Sequence, residues 1–154
     1  MPNADNLAKA REMFKNSFKM IVKSNLIIRE EVKEICNPEK TGEKRYLNEW
    51  ATINIKSCRQ SGHSKSSIEV CSEVFDNVLY LAYNQDMANS WRKNCKHCQN
   101  VEFLSYRSKT WRGKRFDCVI IDCSSVIKNQ DKEMIETCLG PLVVFDKFTM
   151  IWVE

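Results

Sequence analysis

No apolar run in this sequence approaches the length of a membrane span, and the opening "MPNADNLAKAREMFKNSFKMIVKSN" has no apolar segment of the kind that forms a secretory leader. A chain that stays in the cytoplasm, with no membrane partner, is the expectation. Internal repeats and low-complexity tracts are also absent. There is one C-x-x-C, Cys95 to Cys98, with no second such pair and no His-x-His to complete a four-ligand zinc site. Zinc is therefore disfavoured unless the fold brings in Cys36 or His63. The pair follows a helical stretch instead of opening one, which argues against a thioredoxin-like role. The expected state of these two thiols is reduced and structural or incidental. Most of the eight cysteines, among them Cys71, Cys118 and Cys138 with their apolar neighbours, read as small buried hydrophobes in a reducing compartment.

What is present suffices for one domain. The chain has 154 residues, of which 43% are hydrophobic, and a domain of that size buries about two-thirds of its unfolded surface. Lys and Arg number 24 against 20 Asp and Glu, a net charge of +4. So small an excess says little about partners unless it clusters.

Residues 5 to 24 place Leu7, Ala10, Phe14, Phe18, Ile21 and Val22 on one side of an amphipathic helix, with Asp5 or Asn3 as its cap. The stripe, with Met13 and Met20, either packs on the domain's own sheet, as is commoner, or enters a partner's groove. A second helix, "IIREEVKEIC", is expected to end before Pro38, and "NPEKTGEKR" is a polar connector. Beyond residue 50 short apolar runs alternate with helical stretches: strands in "ATINIKS", "NVLYLAY", "VEFLSY" and "FDCVIID", helices over 64–75, 84–94 and 130–138, and a final strand pair, "PLVVFD" and "TMIWVE". That alternation predicts an α/β fold, a mainly parallel sheet flanked by helices, with an antiparallel edge at the C-terminal pair. Residues 1–45 form a helical segment and 46–154 the α/β core of a single domain.

"SCRQSGHSKSS" follows the first strand and opens a helix. From Ser57 it reads S-x-x-x-x-G-H-S where a phosphate-binding loop reads G-x-x-x-x-G-K-[ST]. Such a loop surrounds phosphate with backbone N–H groups and a helix N-terminus, uses Lys for the terminal phosphates and Ser or Thr for magnesium. Gly62 and Ser64 meet two of these needs. His63, shorter and neutral near pH 7, does not meet the third. Arg59 and Lys65 offer charge from other directions. A serine-rich turn with no ligand explains the same residues equally well.

"CRQSGHS" together with "WRGKRFDCVIIDCSS" resembles the ATPase core of tailed-phage terminase large subunits and their helicase-like relatives, which pair R-Q-x-G-K-[ST] with R-G-x-x-F and a Walker B strand. "VLYLAYNQDMANSW" between them resembles the segment after that group's first core helix. The resemblance covers residues 46 to 127. It implies a RecA-like P-loop fold and a viral origin. Ser57, Arg59, Gln60, Ser61, Gly62, His63, Ser64 and Lys65 would hold ATP or another nucleoside triphosphate, Ser64 and Asp122 its magnesium, and Tyr46 or Trp50 would lie near the base. Two departures bear on catalysis. His63 replaces the lysine, and Cys123 stands where the family has the glutamate that activates water. Phosphoryl transfer depends on those electrostatic contributors, so no catalytic residue is assigned: the expectation is weak nucleotide binding with little or no hydrolysis. The alternative is a non-enzymatic interaction or inhibitor protein that uses the fold as a scaffold for a host or viral protein or for nucleic acid. For nucleic acid the candidates are Arg107, Lys109, Arg112, Lys114 and Arg115, interleaved with Tyr106 and Trp111. A solvated loop whose Trp111 packs on the core is the other reading of that stretch.

Overall fold

A computed structural model of the protein describes residues 3–56, 62–122, 126–145 and 147–154. Strands β1 (Thr52–Ile55), β2 (Val78–Ala82), β3 (Val101–Ser105), β4 (Cys118–Ile121) and β5 (Thr149–Val153) form one sheet in the order β1-β5-β4-β2-β3. Every pairing is parallel. β2, β4 and β5 are buried at every position. Such runs, VLYLA, CVII and TMIWV, suit strands covered on both faces.

The helices divide between those faces. Across one runs the row Ile53–Ile151–Ile120–Tyr80–Phe103, covered by α1 (Ala4–Val32), α4 (His63–Val74) and α5 (Gln85–Asn94) through Phe18, Val22, Ile68, Val70, Cys71 and Ala88. On the other, Leu79, Leu81, Val119, Ile121, Met150 and Trp152 meet α3 (Glu43–Glu49) and α6 (Asn129–Leu139) through Tyr46, Leu47, Ile135 and Leu139. A short helix, α2 (Pro38–Thr41), joins α1 to α3. Asparagines start three of these helices. The Asn3 side chain accepts from the amides of Asp5 and Asn6, Asn37 from that of Lys40, and Asn84 from that of Met87, satisfying first-turn donors.

Three expectations are corrected. The first is the break near residue 25: α1 continues for 29 residues to Val32. Neither Gly nor Pro interrupts it, and its inward face continues in polar form, with Asn25 donating to the Trp50 carbonyl at 2.9 Å and Arg29 buried. The second is "PLVVFD". Its first part belongs to a 3-10 turn, Gly140–Val144, that extends α6 and packs on α3; Pro141 occupies the first turn, where its missing N–H costs nothing. The third is the antiparallel edge. "TMIWV" is an interior strand, parallel to both β1 and β4, and no strand among the described residues is antiparallel.

Arg29 is the polar link between α1, α3 and β5. It is 3% exposed, and donates to the Tyr46 hydroxyl (3.2 Å), Asn25 Oδ1 (3.3 Å), Thr149 Oγ1 (3.0 Å) and the Phe148 carbonyl (2.7 Å). α1 is also tied to α4 by Lys19–Glu73 at 2.7 Å and Lys15–Glu69 at 3.7 Å. The Lys19 hydrogen bond is the main cause holding the Glu73 carboxyl below its usual range. These partly exposed pairs orient more than they stabilise. Arg29→Ala is expected to cost about 2–4 kcal/mol in urea unfolding, because it leaves buried acceptors without a donor. A loss below about 1 kcal/mol would contradict that assignment.

Candidate functional site

A parallel sheet collects the ends of all its strands on one edge. β2 feeds α5 and the outer strand β3 on one face, while β4 feeds α6 and β5 on the other. Loops that part to opposite faces leave a crevice at the carboxyl ends of the strands, the usual ligand position in open α/β sheets. The start of α4 lies on this edge. So does Asp122, which follows β4. One strand, β5, separates β1 from β4, so the strand axes are roughly 10 Å apart.

Gly62 caps α4 in the left-handed region (φ 74°), and among the described residues no N-cap side chain closes that end. A β-carbon on Gly62 would lie 3.3 Å from Cγ of Arg11. The dihedral favours glycine, and a β-carbon there would press on the Arg11 stem. Around this helix start is a cleft of about 540 Å³, lined by Gly62, His63, Ser64, Lys65, Arg11 and Lys15, with Glu12, Glu69 and Trp91 on its walls. Four cationic or ionisable bases against two carboxylates, at a helix N-terminus, make a site suited to an anion. Arg11 and Lys15 come from α1, outside any phosphate-loop pattern, and sequence reasoning missed them. The signal that finds them is α1's docking on α4, a tertiary fact.

Asp122 is 2% exposed. Its Oδ2 accepts from the Tyr80 hydroxyl at 2.5 Å, and the Tyr80 ring stands 6.5 Å from that of Trp91, a wall of the cleft. Asp122 itself is not part of the described lining. The structure thus brings together Gly62, His63, Ser64 and Lys65, and relates Asp122 to them through Tyr80 and Trp91. Ser57, Arg59, Gln60, Ser61 and Cys123 lie outside the described residues. Tyr46 and Trp50 do not meet the cleft. Both precede β1 and so sit at the opposite edge of the sheet from Gly62, and Tyr46 is buried against Arg29.

The basic loop between β3 and β4 is spread out. Arg107 stacks on Tyr83 and Tyr106, 5.3 and 5.5 Å from the ring centres, beside the end of β3. Lys114 pairs with Glu102 at 3.6 Å. Arg115 lies 3.8 Å over the Phe145 ring near the start of β4. Arg112 stacks on Trp111 at 5.9 Å, and that Trp is buried with its Nε1 donating to the Tyr106 carbonyl. Lys109 is exposed. Arg107 and Arg115 are thus about a strand length apart, roughly 16 Å, and several of these side chains already have partners within the domain. One contiguous strip of cation is not formed.

Cys95 and Cys98 are free thiols in the core beneath α4 and α5, and His97 reaches Glu69 at 3.1 Å. Burial, then the neighbouring Cys98, pushes Cys95 up to about 11; burial likewise raises Cys98 and Cys118. Among the described residues no group of three or more His, Cys, Asp or Glu side chains is placed to hold a metal, and no helix is long and apolar enough to cross a membrane. No protein-family model matches the chain, and no curated protein or solved structure matches it either.

The thiols give a pH prediction. Folded Cys95 keeps its proton up to about 11, whereas the unfolded thiol releases it near 9.0. The folded state therefore binds more protons between these values, and its advantage is complete below the lower one and is lost as pH rises through the upper. Urea midpoints should fall from about pH 8 to pH 10.5, less steeply in Cys95→Ala. Equal slopes for the two proteins would contradict the burial of that thiol.

Proposed function

We propose that the protein is a nucleotide-binding relative of P-loop NTPases that binds a nucleoside triphosphate weakly and hydrolyses it little or not at all. The observation that carries this reading is the glycine-initiated start of α4, opening on a cleft whose cations include Arg11, Lys15 and Lys65. Phosphate oxygens would accept from the first-turn amides of α4, and the Arg11 and Lys65 side chains would supply the full charge that His63 lacks near neutral pH. Ser64 is the hydroxyl for magnesium, in keeping with the resemblance to terminase-like ATPases. Asp122, on the same edge, would act on that ion through water, since one carboxylate oxygen is already engaged by Tyr80.

Weak turnover follows from the same residues. Cys123 is no general base, and Tyr80 occupies one oxygen of the buried Asp122 carboxylate. Binding without an activated water leaves positioning but little transition-state stabilisation. The protein would then act as a nucleotide-responsive binding module.

Calorimetric titration and thermal melts with magnesium ATP test this. A ligand contribution of about 1 kcal/mol raises the melting temperature by about 2–4 °C in a chain of this size. Arg11→Ala is expected to weaken binding about tenfold and His63→Lys to strengthen it by a similar factor. No heat and no shift with any nucleoside triphosphate would overturn the reading.

A further inference from the structure

Eight large hydrophobic side chains are exposed among the described residues, and six of them, Met13, Met20, Ile21, Ile27, Ile28 and Ile35, lie on α1 or just beyond it. Met13 and Met20 are each 70% exposed, so the methionines of the expected stripe do not pack on the sheet. On a helical projection Met13, Met20 and Ile27 share the line opposite the buried Phe18, Val22 and Arg29. Ser17 and Ser24 flank that line and let another backbone approach. Ile21 and Ile28 continue the apolar surface toward β1, at the open edge of the sheet. Clustering of this kind on an otherwise charged helix marks an interaction surface.

The charges around the stripe identify its partner. On the outward line of α1 Lys9 precedes Met20 and Glu31 follows it, with Asp5, Glu12, Lys23 and Glu30 on the flanks, whereas Arg11, Lys15 and Lys19 turn toward α4. Met13 and Ile27 lie one heptad before and after Met20. Lys9 and Glu31 lie about three turns to either side of it on the same line. Two such helices laid antiparallel about Met20 would set Met13 on Ile27 and Lys9 on Glu31, twice by symmetry. We propose that α1 is the interface of a homodimer, two copies pairing antiparallel across a two-fold axis at Met20.

One patch serves both subunits in such an isologous contact. The 29-residue helix, about 43 Å long, lets the overlap extend over several turns. An anionic lipid surface would meet Asp5, Glu12, Glu30 and Glu31 against Lys9 and Lys23 on this face, so the excess of acids favours a second copy over a membrane. The pairing uses α1's outer line, whereas Arg11 and Lys15 lie on the flank facing α4. It is therefore independent of nucleotide binding.

Sedimentation of the full chain over a range of concentrations tests this. A reversible dimer is expected. Met20→Glu should raise its dissociation constant by about a hundredfold, since two carboxylates then meet at the axis. Lys9→Glu and Glu31→Lys should each weaken it by about tenfold, and the two together should restore it. All five positions of contact are exposed, and unchanged circular dichroism and melting confirm the fold of each variant. A chain that stays monomeric at its highest attainable concentration, a dimer indifferent to Met20→Glu, or a charge swap without rescue would overturn the proposal. So would a monomer that binds vesicles containing anionic lipid, which would give the face to a membrane.

Discussion

The parallel course of all five strands determines what this chain can do. It requires every crossover to travel back over a face of the sheet, so both faces are covered and the strands are apolar throughout. It also gathers each strand's exit on one edge. A phosphate-loop candidate after the first strand and an acid after the fourth then share that edge by construction, whatever their local sequence. Had any of the relevant strands run the other way, the two would lie at opposite ends of the molecule.

The long first helix adds the second constraint. Buried Arg29 ties it to α3 and β5 at one end, and its ion pairs with Glu69 and Glu73 align it along α4. That alignment carries Arg11 over Gly62, where its stem packs close to the glycine. Charge for an anion thus reaches the cleft from a neighbouring helix instead of from a lysine inside the loop. A histidine at position 63 does not by itself remove the electrostatic basis for binding phosphate. The acid is different: Asp122 is held by Tyr80 beneath the surface, an arrangement suited to order and poor for catalysis.

Much of the architecture was legible because buried parallel strands must be continuous apolar runs, and "NVLYLAY" and "FDCVIID" are such runs, while "VEFLSY" at the sheet edge alternates buried and half-buried positions. Caps were legible for the same local reason, with Asn3 confirmed as the residue that closes the first turn of α1. Elements that depend on distant partners were not. The first helix was cut short because its inward face turns polar at Asn25 and Arg29, and only Trp50, Tyr46 and Thr149, far along the chain, explain those residues. "TMIWVE" could be recognised as a strand, but its place between β1 and β4 is a property of the whole sheet. Within the site, Gly62 could be singled out from its spacing, whereas Arg11 and Tyr80 gain their roles from packing alone. The basic stretch 107–115 illustrates the reverse case, for side chains adjacent in sequence are distributed along the height of the sheet.

The central claim is that the start of α4 is an anion site built from backbone amides and the cations of α1. Amide resonances followed by two-dimensional NMR during titration with inorganic triphosphate test it without reference to a base, a sugar or hydrolysis. The account predicts that the amides of Gly62, His63, Ser64 and Lys65 move first and saturably, and that the Arg11 side-chain signal moves with them. Perturbations that begin elsewhere, or that grow in proportion to ionic strength and never saturate, would contradict it.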